Sequence, residues 1–367
     1  MENGVLHEKW MQFCIEHAEK YRGKTFPNPL VGSVLVSSNE IVEFGVHQKA
    51  GENHAERDLL MKLQQTGRTP PKDSILYVNL EPCCHYGKTP PCTEAIIQSG
   101  INKVVVGMLD PNPLVAGQGI KRLEEAGIEV LTGVLEAECQ YLNRVFIKNM
   151  NRLRPYVTLK LAITIDGFVA DGQGNSKWIT GEKAREDVHK LRSFSDGMLI
   201  GFGTIASDNP SLNTRLQKDE PQKVFIVDRD GLIQGQERVF EANGAENVWC
   251  LRPVVHKGQS VQQIQCSLGP DKHFVWDTAL ADLNELGICH LFCEGGASLA
   301  SSLLEQGQVD EIVVYQAPKV LGGGSEHLSM FRGLRREQLE QALELALDTV
   351  EILGQDVKIV YRSTTDC

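Results

Sequence analysis

Residues 79–92 read NLEPCCHYGKTPPC, an apolar run that ends in three cysteines and a histidine set among three prolines. Upstream, His54-Ala-Glu56 opens HAERDLLMKLQQ, in which Leu59, Leu60 and Leu63 share one helical face. The cysteine-rich stretch follows a strand and leads into a second helix, PCTEAIIQSG, so the candidate ligands sit at element ends. Zinc favours imidazole and thiolate, and a catalytic zinc keeps a fourth position for water. His54 with two thiolates would supply three ligands. Bound water then loses a proton near neutral pH. An H-x-E pair at a helix start places one side chain on the metal and leaves the other beside it, so Glu56 can carry that proton to a leaving amine. Cys92 precedes TEAIIQ, where the positive end of the helix lowers a thiol pKa. The competing reading is a closed structural zinc knot with Cys84 or His85 as fourth ligand, and it gives Glu56 no task.

Around these motifs the first 150 residues alternate. HEKWMQFCIEHAEKY reads as a helix, LVGSVLVS and EIVEFGVH as strands joined by a turn at SSNE, and DSILYVNLEP, NKVVVGML and IEVLTG as strands, with GQGIKRLEEAG as a helix. The pattern is an α/β sheet with crossover helices. LEAECQYLNRVFIKNMNRLRP reads as one helix that stops at Pro155, which places a domain boundary near 150 and gives domains 1–150 and 151–367. The second domain repeats the pattern: strands at YVTLKLAIT, DGMLIGF, KVFIVD, NVWCL, HLFCEG and EIVVYQAP, and helices at GEKAREDVHKLRS and SLASSLLEQG. No G-x-G-x-x-G opens a helix there, so a Rossmann cofactor site is not supported. FCEGGASLASSLLEQG offers another anion device, a strand, a Gly-Gly turn and a helix start with free N–H groups, although glycine is equally explained by the turn alone.

The chain has 367 residues, with 41% hydrophobic and 23% charged, enough for two cores. Its net charge of -11 argues against bulk binding to nucleic acid or anionic membrane. There is no secretory profile at MENGVLHEKWMQF and no apolar run long enough to span a membrane. Ten scattered cysteines without an export signal are thiols and metal ligands rather than a disulfide framework. The expected location is the cytoplasm.

H-x-E followed by P-C-x-x-C is the mark of zinc nucleobase deaminases. Here the second thiol comes later, as P-C-C-H-Y-G-K-T-P-P-C. With PNPLVGSVLV, GVHQKAGENHAE and DPNPLVAGQGI, the first domain resembles the deaminase half of the bifunctional riboflavin-biosynthesis enzymes, diaminohydroxyphosphoribosylaminopyrimidine deaminase fused to 5-amino-6-(5-phosphoribosylamino)uracil reductase. TLKLAITIDGFVA, SKWITG, LRSFSDGMLIGFGTIASDNPSLNTR, CEGGASLASSLL and VDEIVVYQAPKVLGG resemble the reductase half. The resemblance implies a cytidine-deaminase-like three-layer domain and a dihydrofolate-reductase-like domain.

It also implies His54, Cys83 and Cys92 as zinc ligands, Glu56 as proton shuttle, and Asn28, His47, His85 and Lys88 at the pyrimidine and phosphate site. In the second domain it implies NADP(H) at Ala162, Trp178, Thr204, Asp208 and Gly296, Ala297, Ser298, Leu299, Ala300, Ser301 and Ser302. Ser176, Arg192, Leu212, Arg215 and Glu294 fall on the substrate site, with Arg192 and Arg215 as forks for the ribose phosphate. Lys160 and Asp208 are polar partners for the opened sugar. Arg229 stands where such enzymes often carry Ser, so its guanidinium could meet the 2′-phosphate of NADP; the alternative is a solvated turn residue. Trp178 would be a flat wall for the cofactor or else a core aromatic.

The implied reactions are hydrolytic deamination of 2,5-diamino-6-(5-phosphoribosylamino)pyrimidin-4(3H)-one and NADPH reduction of the ribosyl group to ribityl. Such two-domain enzymes commonly associate, so a homo-oligomer is expected. The rival readings are a single-activity nucleoside or base deaminase with an unrelated appendage, a reductase carrying an inert zinc scaffold, and a non-enzymatic binding module.

Overall fold

The structure, a computed structural model, describes residues 2–364 apart from 86–89, 114, 214–221, 271 and 324–326. The chain forms two compact units, 1–153 and 154–367.

The first unit runs α1 (Glu2–Glu19), β1 (Gly32–Ser37), β2 (Glu40–Val46), α2 (Ala55–Gln65), β3 (Ile75–Leu80), α3 (Cys92–Ser99), β4 (Lys103–Met108), α4 (Gln118–Glu125), β5 (Glu129–Thr132), α5 (Glu136–Leu142) and α6 (Arg144–Arg152). Its sheet has the order β2-β1-β3-β4-β5. β1 is antiparallel to β2 and β3, and β3, β4 and β5 are parallel. The hairpin turns at Ser38 and Asn39, both with positive φ. Helices α1 and α5 pack on one face and α2, α3 and α4 lie on the other, a three-layer arrangement. β3 and β4 are buried on both faces, as central parallel strands covered by helices must be. The core joins Leu35, Leu59, Leu76, Tyr77, Ile96 and Val105.

Where the sequence reads one helix over 135–154, there are two. The break is at Asn143, whose side chain turns inward: Oδ1 accepts from Leu30 N at 2.8 Å, and Nδ2 donates to Leu30 O at 3.1 Å. Leaving the helical conformation lets this residue satisfy a buried backbone segment of another layer.

The second unit contains β6 (Tyr156–Ile163), β7 (Phe168–Ala170), α7 (Glu182–Ser193), β8 (Gly197–Gly201), α8 (Phe202–Asp208), β9 (Lys223–Val227), α9 (Arg238–Asn243), β10 (Val248–Arg252), β11 (Gln262–Gln265), α10 (Trp276–Glu285), β12 (His290–Cys293), α11 (Ala297–Glu305), β13 (Glu311–Gln316), β14 (Leu328–Ser329), β15 (Leu345–Leu353) and β16 (Asp356–Ser363). The sheet order is β11-β10-β9-β8-β12-β6-β13-β16-β15, with β14 paired to β7 apart from it. All pairings from β11 to β13 are parallel, and the β15–β16 hairpin is antiparallel. This hairpin lies outside the strands expected from the sequence, although LALDTVEIL and DVKIVYRS alternate and flank a turn at Gly354 with φ 73. A bulge between Leu347 and Thr349 resets the register. The pairings Leu345↔Ser363, Leu347↔Tyr361, Val350↔Ile359 and Ile352↔Val357 therefore share one face of the outer strand.

Candidate active sites

In the first unit, glycine brings the metal-side helix down on the sheet. A Cβ on Gly45 would lie 2.1 Å from Ala55 O and 2.5 Å from Leu59 N, so α2 starts directly against β2. Val46 N donates to Asp58 Oδ2 at 3.1 Å, and His54 ends the preceding loop as the N-cap residue of α2. Cys83 follows β3, and Cys92 is the first residue of α3. Thr93 N donates to Cys83 O at 3.2 Å, and Cys92 N to Cys83 Sγ at 3.3 Å, which ties the start of α3 to Cys83.

The ligand atoms of His54, Cys83 and Cys92 lie within 4.8 Å of one another. Sγ of Cys83 is 3.5 Å and Sγ of Cys92 is 3.4 Å from His54 Nδ1. Tetrahedral zinc with ordinary Zn–S and Zn–N bonds needs such edges to be about 3.5 Å. The donor set therefore fits zinc. Among the described residues, neither Cys84 nor His85 joins the group, which counts against the closed-knot reading. Cys83 is pulled down to about 4, first by its interaction with Cys92, whereas Cys92, expected to be lowered by its helix start, is raised instead, by its hydrogen bond to Cys83 and by burial, which outweigh the helix end.

Glu56 is 3% exposed. Burial, then the nearby Cys83, lifts its carboxyl to about 7, within the range where it can both take and give a proton. His47 is 2% exposed, and its ring lies edge-on to His54 with centroids 5.5 Å apart. Its Nδ1 meets Asn53 O at 3.0 Å, and a carbonyl only accepts, so Nδ1 carries the proton. Nε2 is then the acceptor for Asn28 Nδ2 at 3.1 Å. Burial lowers the His47 pKa, in keeping with this neutral tautomer. Asn28 is thereby oriented with its Oδ1 left for a ligand. His85 is exposed on the turn after Cys84, and Lys88 lies outside the described residues.

Two further residues, Asn79 and Glu81, shape this site. Asn79 is fully buried; its Oδ1 accepts from Gly32 N at 2.7 Å and its Nδ2 donates to Leu30 O at 2.9 Å, fixing the chain that carries Asn28. Glu81 sits between Asn79 and Cys83 and anchors the opposite loop. Their signal was the strand alternation of 79, 81 and 83 within NLEPC.

In the second unit, Arg192 at the end of α7 grips Glu294 after β12 with two parallel hydrogen bonds; the Nη2–Oε2 pair is 2.8 Å. Arg192 Nη1 also reaches Asn213 O at 3.4 Å. Burial alone would raise the Glu294 carboxyl, but Arg192, and beyond it Lys160, hold it below its ordinary value. Lys160 on β6 is lowered by burial, with Glu294 opposing. Gly296 is the N-cap of α11, and a Cβ there would meet only Thr204 Oγ1, at 3.8 Å, so Thr204 on α8 and the helix start face one another. Leu299 N and Ala300 N both donate to Gly296 O, while the amides of Ala297 and Ser298 belong to the open first turn. Within the same segment Leu299 and Ala300 are core residues, Ser301 Oγ bonds Ala297 O, and Ser302 Oγ accepts from Trp276 Nε1. Only Ser298 has an exposed side chain there.

Asp208 pairs with Lys177 at 3.2 Å, which ties the end of α8 to the loop carrying Ser176 and Trp178. Trp178 is 64% exposed, with Arg185 over its ring at 4.6 Å, so it is not a core aromatic. Ala162 is half-buried on β6. Leu212, with φ 55 and 4% exposure, packs among Ile200, Ile226 and Val239, which leaves its backbone rather than its side chain for a ligand. Arg229 lies on the turn after β9 and contacts Asp230 at 3.3 Å. Arg215 lies outside the described residues.

Residues 5–108 match the model of the cytidine and deoxycytidylate deaminase zinc-binding region, and residues 155–359 match the RibD C-terminal domain. The riboflavin biosynthesis protein RibD of Aquifex aeolicus is 39% identical over 97% of this chain and 98% of its own length. That of Escherichia coli is 35% identical over 95% and 97%. Among solved structures, Acinetobacter baumannii RibD superposes with a TM-score of 0.84 at 36% identity, covering 99% of this chain and all of that one. A Thermotoga maritima protein described as a diaminohydroxyphosphoribosylaminopyrimidine deaminase/5-amino-6-(5-phosphoribosylamino)uracil reductase gives 0.87 at 35% identity, covering 98% and 99%. A family model that spans more than half of the chain, together with relatives matched from end to end, shows that this chain belongs to the RibD family of riboflavin-biosynthesis proteins.

Proposed function

We propose that the first unit deaminates a phosphorylated diaminopyrimidine ribotide and that the second reduces the ribosyl group of the product with NADPH. The observation that carries the first step is the three-donor group of His54, Cys83 and Cys92 with the buried Glu56 beside it. Zinc held there supplies Lewis-acid activation of water at neutral pH. Glu56 takes one proton from the attacking water and delivers it to the ring nitrogen, then carries the second, released as the new hydroxyl becomes a carbonyl, to the amine, so that the C–N bond breaks and ammonia leaves. Asn28, oriented by the neutral His47, accepts from an amino group of the pyrimidine. His85 and Lys88 complete the substrate side of this reading.

In the second unit NADPH supplies the hydride that goes to C1′ of the opened sugar. The amides of Ala297 and Ser298, with Gly296 leaving room for close approach and Thr204 opposite, suit a cofactor phosphate. The remaining assigned cofactor positions are Ala162, Trp178, Asp208, Arg229 and the rest of the segment to Ser302. Ser176, Arg192, Leu212, Arg215 and Glu294 receive the substrate, with Lys160 near the Arg192–Glu294 pair as a polar contact. The domains assigned to the two steps are 1–150 and 151–367.

One assay tests the whole: purified protein given the ribotide, with and without NADPH, while ammonia and cofactor absorbance are followed together. Ammonia without NADPH, and cofactor oxidation only after deamination, is the expected result. Ammonia release with no cofactor oxidation would leave the single-activity deaminase.

The reading includes a cytoplasmic enzyme with no nucleic-acid partner. Among the described residues no helix is long and apolar enough to cross a membrane. Self-association is also included. β15 is the outer strand of its sheet, and Leu347, Val350 and Ile352 on its shared face are 61%, 58% and 77% exposed. An apolar outer strand of this length is a template for pairing with another strand. Light scattering should show an oligomer that Ile352→Lys weakens.

A further inference from the structure

We propose that Glu81 is a positioning residue for the metal centre, fixing the turn that carries Cys83 against Asp110 and the start of α4. Glu81 is 5% exposed, and among the described residues no cation pairs with it. A carboxylate so buried needs its charge satisfied by other donors. Four backbone amides do this. Oε2 accepts from Asp110 N at 3.1 Å and Gly117 N at 2.9 Å; Oε1 accepts from Gly119 N at 2.8 Å and Ile120 N at 3.4 Å. Two of these amides belong to the first turn of α4, where a negative charge is favoured. Gly119 allows the approach, since a Cβ there would lie 2.1 Å from Pro82 O and 3.1 Å from Glu81 Oε1.

The contacts form a closed circuit around the ligands. Glu81 holds α4, Arg122 of α4 pairs with Glu94 of α3 at 2.8 Å, and the first residues of α3 bond back to Cys83 through Sγ and the carbonyl oxygen. Opening the circuit at Glu81 frees both Pro82 and the start of α4, so the Cys83 thiolate loses its fixed direction. Outer partners of metal ligands act in this way elsewhere, and their loss typically costs about 10–100-fold in metal affinity or activity.

Glu81→Gln is nearly isosteric but turns an NH2 group toward amides that need an acceptor. The full-length variant should bind zinc about 10-fold or more weakly in competition with a chromophoric chelator. Its cobalt-substituted form should show shifted visible bands, because the ligand field at the thiolates changes. NADPH oxidation by the second unit should be unaltered. Glu81→Asp keeps the charge with a shorter arm and should lose affinity in the same direction, which covers a Gln variant that does not fold. Wild-type zinc affinity and unchanged cobalt bands in either variant that folds would overturn the proposal. So would a parallel loss of NADPH oxidation, which marks general unfolding. The kinetic arm, a fall in ammonia release per bound metal, rests on the deaminase reading. A wild-type protein that releases no ammonia would defeat that reading, while the metal and cobalt measurements would still decide the role of Glu81.

Discussion

The two units hold their assigned residues in different ways. In the first, each side chain at the metal is aimed by a dedicated neighbour: Asn53 O sets the His47 tautomer, His47 orients Asn28, and Gly45 lets α2 lower His54 and Glu56 onto the sheet. In the second, many assigned side chains are already engaged. Arg192 and Glu294 satisfy one another, Ser301 and Ser302 bond within their own unit, and Leu212 is core. What faces outward is a helix start, the exposed Trp178 and a few polar groups. The difference follows from what is bound. A small ion of fixed geometry needs side-chain donors at fixed separation. A long phosphate-bearing cofactor is met well by backbone amides and flat surfaces.

Breaking the first unit's site should have the largest effect and leave the second untouched. Cys83→Ala or Cys92→Ala should abolish zinc retention by metal analysis and reduce ammonia release to background, with NADPH oxidation of the deaminated substrate retained. Glu56→Gln comes next. It should keep zinc yet lower ammonia release by roughly 10²–10⁴-fold, the usual reach of general acid–base catalysis. Unchanged release would instead make the metal a scaffold.

In the second unit, Arg192→Met should lower kcat/KM for NADPH oxidation by about 100-fold and destabilise that unit by about 3 kcal/mol in urea unfolding, since one partner of a largely buried ion pair is left alone. The same pair gives a pH signature. The Glu294 carboxyl is lower in the folded than in the unfolded protein. Its stabilisation is therefore complete above the unfolded value of about 4.3 and disappears as pH falls through the lower folded value. Unfolding measured down the acid limb should show this loss in the native protein and not in Glu294→Gln. The smallest effect is expected at Arg229, whose side chain is 49% exposed. Arg229→Ala should narrow the preference for NADPH over NADH by about 10-fold; an unchanged ratio would leave it a solvated turn residue.

Much of the first unit was legible because its chemistry is local. His54 and Glu56 are two residues apart at a helix start, and Cys83 and Cys92 are close in the sequence, so motif spacing nearly fixes their relation. The sequence alone also settled the alternating α/β pattern, since strand and helix periods follow from which faces must be buried. It did not reveal the roles of Asn79, Glu81 and Asn143, because the groups they satisfy are backbone atoms of segments remote in the chain, and backbone atoms leave no letter in a sequence. It did not reveal the turning of Ser301 and Ser302 inward, which depends on where Ala297 O and Trp276 Nε1 lie after folding. Nor did it show that a single bulged residue aligns Leu345, Leu347, Val350 and Ile352 on one face. Residue types and short spacings fix which chemistry is available, whereas burial, register and long-range hydrogen bonds exist only once distant segments have met, and they decide which of those side chains remain free to use it.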